Sequence, residues 1–148
     1  VNKDQKLLEE AYQSIYESAI EPNYFGPKED KDFWLRKLKP EVHEDGSVSV
    51  KGDVALLSLR IGRIPFNFRS VTGSFQCYIT NLTSLEGAPK KVGGHFDCSN
   101  NNLTSLEGAP KEVGGDFNCS YNDLTSLEGA PEKIGGTFVH NTFSDEDY

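Results

Sequence analysis

The chain has 148 residues, of which 26% are charged and 36% hydrophobic, and a net charge of −8. That length fits one domain, or one domain with a helical appendage. No run of 18 apolar residues occurs, which excludes a helical membrane span, and the acidic balance argues against direct contact with a phosphate backbone.

Residues 1–40 carry helical signals. Leu7, Leu8, Ala11, Tyr12, Ile15, Tyr16, Ala19 and Ile20 recur at helical spacing and predict one broad apolar face. Asn2 fits as its cap, with Gln5 three residues later. A second helix is predicted from Pro27. Glu29 and Asp30 lie in its first turn, Lys37 and Lys39 in its last, and Pro40 stops it. Trp34, Leu35 and Leu38 form its apolar side. The pair is expected to cap a larger body; the alternative is a docking or dimerisation element.

Residues 41–72 read as a degenerate, capping version of the regular coils in residues 73–143. Ser47-Val48-Ser49-Val50 alternates and Lys51-Gly52 supplies a turn, so a small hairpin is expected over 47–57. A step of 21 places Val54 under Phe75, Leu56 under Cys77, Ile61 under Leu82, Ile64 under Leu85 and Val71 under Val92.

Residues 73–143 repeat regularly. Phe75, Phe96, Phe117 and Phe138 stand 21 apart, and so do Cys77, Cys98 and Cys119. The block Leu-Thr-Ser-Leu-Glu-Gly-Ala-Pro begins at Leu82, Leu103 and Leu124. Such a period marks a solenoid, whose coils bury their apolar faces only against one another. Within a coil, Phe117 and Cys119 alternate with Asp116, Asn118 and Ser120, as in a short strand with one buried face. Asn122 stands where the coil leaves the strand and can bond backbone groups there. Gly87 and Pro89 leave the outer wall no room for a helix. At the far end Asp145, Glu146 and Asp147 give residues 144–148 the charge of an exposed, protected edge.

The pattern Phe-x-Cys-x-x-Asn-x-Leu-x-x-Leu, with Pro four residues on, resembles the leucine-rich repeat, closest to the short type of secreted bacterial effectors. The repeated octapeptide is also similar to repeats in uncharacterised proteins of large tailed bacteriophages. The resemblance covers about residues 52 to 143. Phe and Cys replace the strand leucines, and Thr80 takes the first Asn position. It implies an α+β fold: a leucine-rich-repeat solenoid with one parallel β-sheet of 21-residue coils and a non-helical outer wall, after two helices and a hairpin cap.

Catalytic and metal-binding constellations are not visible. Cys77, Cys98, Cys119 and His140 would stack in a line about 14 Å long at the usual strand spacing, and a line cannot converge on one zinc. The cysteines are expected to be buried small hydrophobes, and neither cofactor nor metal is expected. Three thiols without a leader segment predict a reducing cytoplasm, that of the host if the chain is phage-encoded. The negative charge is concentrated in residues 73–148, which hold 4 Lys/Arg against 11 Asp/Glu. A basic partner protein would be drawn to it.

The outward sheet face differs most between copies, whereas the buried columns repeat. Gln76, Tyr78, His95, Asp97, Ser99, Asp116, Asn118, Ser120 and Tyr121 are therefore the candidate partner-binding residues. Ile79 adds an apolar anchor beside Tyr78. The function expected is non-enzymatic protein binding by a monomer or weak homo-oligomer. The alternatives are a self-associating structural or virion assembly component, or an acidic decoy for a nucleic-acid-binding host protein.

Overall fold

The computed structural model describes residues 38–56 and 62–141, with Lys6. The chain winds as a parallel β-solenoid of about four turns, and each coil contributes two short strands to two different sheets. One, here the Val sheet, runs in the order β1 (Glu41–Val42), β2 (Val48–Val50), β4 (Phe68–Val71), β6 (Lys91–Val92), β8 (Glu112–Val113), β10 (Lys133–Ile134). The other, the Phe sheet, holds β3 (Val54–Ala55), β5 (Phe75–Gln76), β7 (Phe96–Asp97), β9 (Phe117–Asn118) and β11 (Phe138–Val139). The expected single sheet is thus corrected to two. Two residues of Lys-Val or Glu-Val are too few to show alternation, so the sequence offers no periodic signal for the Val sheet.

The 21-residue register holds from Ser49 onward; Val48 instead pairs with Phe68, 20 residues on, across a register shift. Val54 pairs with Phe75, Phe75 with Phe96, Phe96 with Phe117 and Phe117 with Phe138. Val71 pairs with Val92, as the backward alignment expected. Ile61 lies outside the described residues, whereas Leu56 and Ile64 are buried.

The hairpin expected over 47–57 is not formed. β2 and β3 join different sheets, each parallel to the following coil. Lys51-Gly52 is instead the first coil corner, with Gly52 at φ +105°. The antiparallel pair lies earlier: Glu41 opposes Ser49 and Val42 opposes Val48. His43 and Ser47 close that turn through the Ser47 carbonyl. The Asp45 carboxylate accepts from both the Ser47 amide and its hydroxyl, at 2.9 and 2.6 Å. Those bonds hold the Asp45 carboxyl below its usual range. Leu38 is buried in the core; apart from Lys6 and residues 38–40, the two expected helices fall outside the described residues.

Three features make the coils stack. Phe75, Phe96 and Phe117 form a ladder with centroids 5.4 and 5.5 Å apart and nearly parallel planes. The Gly-Gly corners between the sheets leave no space for a side chain: a β-carbon on Gly93, Gly114 or Gly135 would overlap a carbonyl of the coil before. Close approach, rather than an unusual φ, demands glycine there. Third, each Asn spans two coils. Asn101 Oδ1 accepts the Thr80 and Leu82 amides, both at 3.0 Å, while its Nδ2 donates to the carbonyls of Cys77 and Cys98. Asn122 repeats this with the Leu103 amide and the Cys98 and Cys119 carbonyls. Thr80, the odd residue at that position, donates its hydroxyl to the Cys77 carbonyl at 2.7 Å.

Candidate interaction surface

The outward face of the Phe sheet carries three columns of side chains. Asp53, Ser74, His95, Asp116 and Thr137 line the edge next to the Gly-Gly corners. Gln76, Asp97, Asn118 and Val139 come next, in register. The third positions are Tyr78, Ser99, Ser120 and Asn141, and the residues after the first three of them, Ile79, Asn100 and Tyr121, are exposed.

The structure separates the predicted site residues into two groups. His95 and Tyr121 are exposed, and Gln76, Tyr78, Asp97, Asp116 and Asn118 are half-buried. Ser99 and Ser120 are not available: both are buried. The strands are only two residues long, so strict alternation stops after Asp97 and Asn118. Asp97 Oδ1 then accepts the amide and hydroxyl of Ser99 at 2.9 and 2.6 Å, drawing the serine in. Asn118 Oδ1 does the same to Ser120 at 3.0 and 2.7 Å. These are short local turns of a kind that Asp and Asn favour. Asp97 and Asn118 are therefore structural as well as surface residues.

Beyond this face the backbone makes a left-handed step once per coil. Ile79, Asn100 and Tyr121 occupy equivalent positions with φ near +57° in all three. Asn tolerates that region; a β-branched or bulky residue there is strained. Ile79 and Tyr121 are also the most exposed large apolar side chains described, at 62% and 65%. They stand two coils apart, about 10 Å at the usual strand spacing. Both are apolar candidates by residue type, but the left-handed step is visible in the sequence only at Asn100.

Charge divides the solenoid surface. The strips 74–81, 95–102 and 116–123 contain Asp97, Asp116 and Asp123 and no Lys or Arg. Lys91 and Lys111, beside the Val sheet, instead pair with Glu112 and Glu132 across successive coils at 3.9 and 4.0 Å. Those exposed pairs contribute little to stability.

The cysteine column is buried and free of disulfides. Burial pushes the Cys77 and Cys98 thiols well up, and Cys119 up to about 11. Protonated thiols without access to solvent are poor nucleophiles and poor ligands. Among the described residues no group of three or more His, Cys, Asp or Glu is arranged to hold a metal ion. None of the described helical residues belongs to a helix long and apolar enough to cross a membrane. An open groove of about 580 Å³ on the outer wall is lined by Ser84, Glu86, Lys90, Ser105 and Glu107 among others. The hydroxyls of Ser84 and Ser105 accept the Glu86 and Glu107 amides at 2.9 Å.

Comparison of the chain with known protein families, curated proteins and solved structures returns no match.

Proposed function

We propose that the chain is a non-enzymatic binding module, a solenoid of the short leucine-rich-repeat kind, that engages another protein. The surface is the outward face of the Phe sheet with the left-handed corner beside it. One observation carries the reading: Ile79 and Tyr121 are bulky, exposed and held in a backbone region where Asn100 shows the residue that fits. Asn100 makes the same left-handed step, so the step itself calls for neither a bulky nor an apolar side chain. Such outliers concentrate at functional surfaces, and large apolar side chains supply most interface energy.

The charge sets the partner class. A face with aspartates and no lysine or arginine favours a basic protein and disfavours nucleic acid. The likeness of the octapeptide to phage repeats makes a bacterial host protein, or another phage component, the first class to search. The test is affinity capture from bacterial lysate with the wild type and with Ile79→Asn/Tyr121→Asn, which keeps the fold. A partner held by the wild type and released by the variant supports the reading. A partner held equally by both, with unchanged salt dependence, overturns it.

A second reading, self-association, is favoured by the last coil. Among the described residues β10 and β11 have no neighbour beyond them, and Ile134 and Phe138 are only partly covered. Sedimentation that changes with concentration would support it over a monomeric binder.

A further inference from the structure

Four side chains at the edge of the Phe sheet perform one task in succession. Asp53 Oδ1 accepts the Ser74 amide at 2.8 Å, and Ser74 Oγ accepts the His95 amide at 2.9 Å. His95 Nδ1 accepts the Asp116 amide at 2.8 Å, and Asp116 Oδ1 accepts the Thr137 amide at 2.8 Å. Each bond ties one coil to the next. A hydroxyl or a carboxylate keeps an accepting lone pair through the neutral range, but an imidazole nitrogen does not once it is protonated. A backbone amide always donates. The bond therefore requires a bare Nδ1 and places the neutral ring's proton on Nε2.

We propose that His95 is a proton-operated latch: uptake of one solvent proton at Nδ1 releases the Asp116 amide and turns the ring onto the Asp116 carboxylate. The proton consumes the lone pair that held the amide, so two N–H groups would face each other and the ring must move. A destination is at hand. Asp116 Oδ2 lies 3.7 Å from Nδ1, and Oδ1 of the same carboxylate can stay on the Thr137 amide. Asp116 on the following coil is the charged group in contact with the ring, and the other charged residues in the edge column and the column beside it, Asp53 and Asp97, are acidic as well. The preceding coil contributes only the neutral Ser74 and Gln76. The ring's seat is narrow, because a β-carbon on Gly115 would lie 2.5 Å from Nδ1 and 2.9 Å from Cε1.

The latch stands in the middle of the face assigned to partner binding. On that reading, protonation adds a positive charge to an acidic surface and weakens the hold on a basic partner.

The experiment needs no partner, so it stands apart from the binding test. Ring and backbone nitrogen NMR of the full chain is recorded through the titration of His95. The expected result is the Nε2–H tautomer at neutral pH, with an Asp116 amide that shifts and loses exchange protection severalfold as His95 protonates. His95→Ser supplies the non-titrating acceptor that Ser74 already provides one coil earlier. It should fold and abolish the pH step at Asp116. An Nδ1–H tautomer at neutral pH, an Asp116 amide indifferent to the titration, or a step that persists in His95→Ser would each overturn the latch.

Discussion

Leu106 and Leu127 hold the same position in the same repeated block, yet Leu106 is fully buried and Leu127 is only partly covered. The contrast extends along the coil: Val113 against Ile134, and Phe117 against Phe138. Even the ring geometry changes, from planes 13° apart between Phe96 and Phe117 to 76° between Phe117 and Phe138. The residues are alike, and the difference lies in the neighbouring coil on the far side. In a solenoid, core membership belongs to a pair of neighbours rather than to a residue.

The strongest way to break that comparison is to truncate the same ring in both places. Phe96→Ala should cost about 3–5 kcal/mol, because it opens a cavity closed on both sides. Phe138→Ala should cost roughly 1–2 kcal/mol, because its ring already loses part of its burial. Denaturant melts of the two variants check this, and equal losses would refute neighbour-dependent burial.

Alkaline titration should also be steep. A buried thiol with a raised pKa keeps its proton after the unfolded chain has lost its own, at about pH 8.5. The folded state then binds more protons, so stability falls as pH rises. Each buried cysteine should contribute about 1.4 kcal/mol per pH unit above that point. Cys119 stops contributing near pH 11, the value to which burial pushes it, while Cys77, pushed up further by its burial, continues beyond. Replacing Cys119 by Ala should flatten the curve below pH 11, and an unchanged slope would show that its thiol is not protected.

The Asn bridges sharpen the comparison next. Asn101→Ala strands buried amides of Thr80 and Leu82, so a loss on the order of 3 kcal/mol is expected. Asn122 is half-buried, and Asn122→Ala should cost about half as much. Thermal melts would decide, and a reversed order would contradict the assigned bonds.

The smallest effect exchanges two equivalent corners. Ile79→Asn should stabilise the fold by about 1 kcal/mol and Asn100→Ile should destabilise it by a similar amount, since the left-handed step penalises a β-branched residue by about that much. Should both changes be neutral, the strain that marks this corner as functional would be absent.

The solenoid was legible in the sequence because duplication fixes both spacing and inward chemistry. Val54 under Phe75, and Val71 under Val92, come from arithmetic alone. The Val sheet was not legible, since each of its later strands shows one inward residue and has no alternation to read. Its trace was the column Val71, Val92, Val113 and Ile134. The sequence points to a hairpin at Lys51-Gly52 because its turn chemistry serves a coil corner as well as a reversal. Ser99 and Ser120 were expected on the surface because their spacing said so; short-range bonds from Asp97 and Asn118 overruled the spacing. The left-handed corner was concealed by Ile79 and Tyr121, whose residue types do not announce it.

The Gly-Gly corners have an evolutionary consequence. Each coil presents the next with the same bare backbone ledge, and each edge side chain offers its acceptor to whatever amide comes above it. A copied 21-residue segment inserted in frame would meet a matching ledge below and leave one above. Length in such a molecule can therefore change by whole coils without altering the contacts inside any one coil. The surface inherited with each new coil would then be free to diverge, while Phe, Cys, Leu and the paired glycines stay under a common constraint.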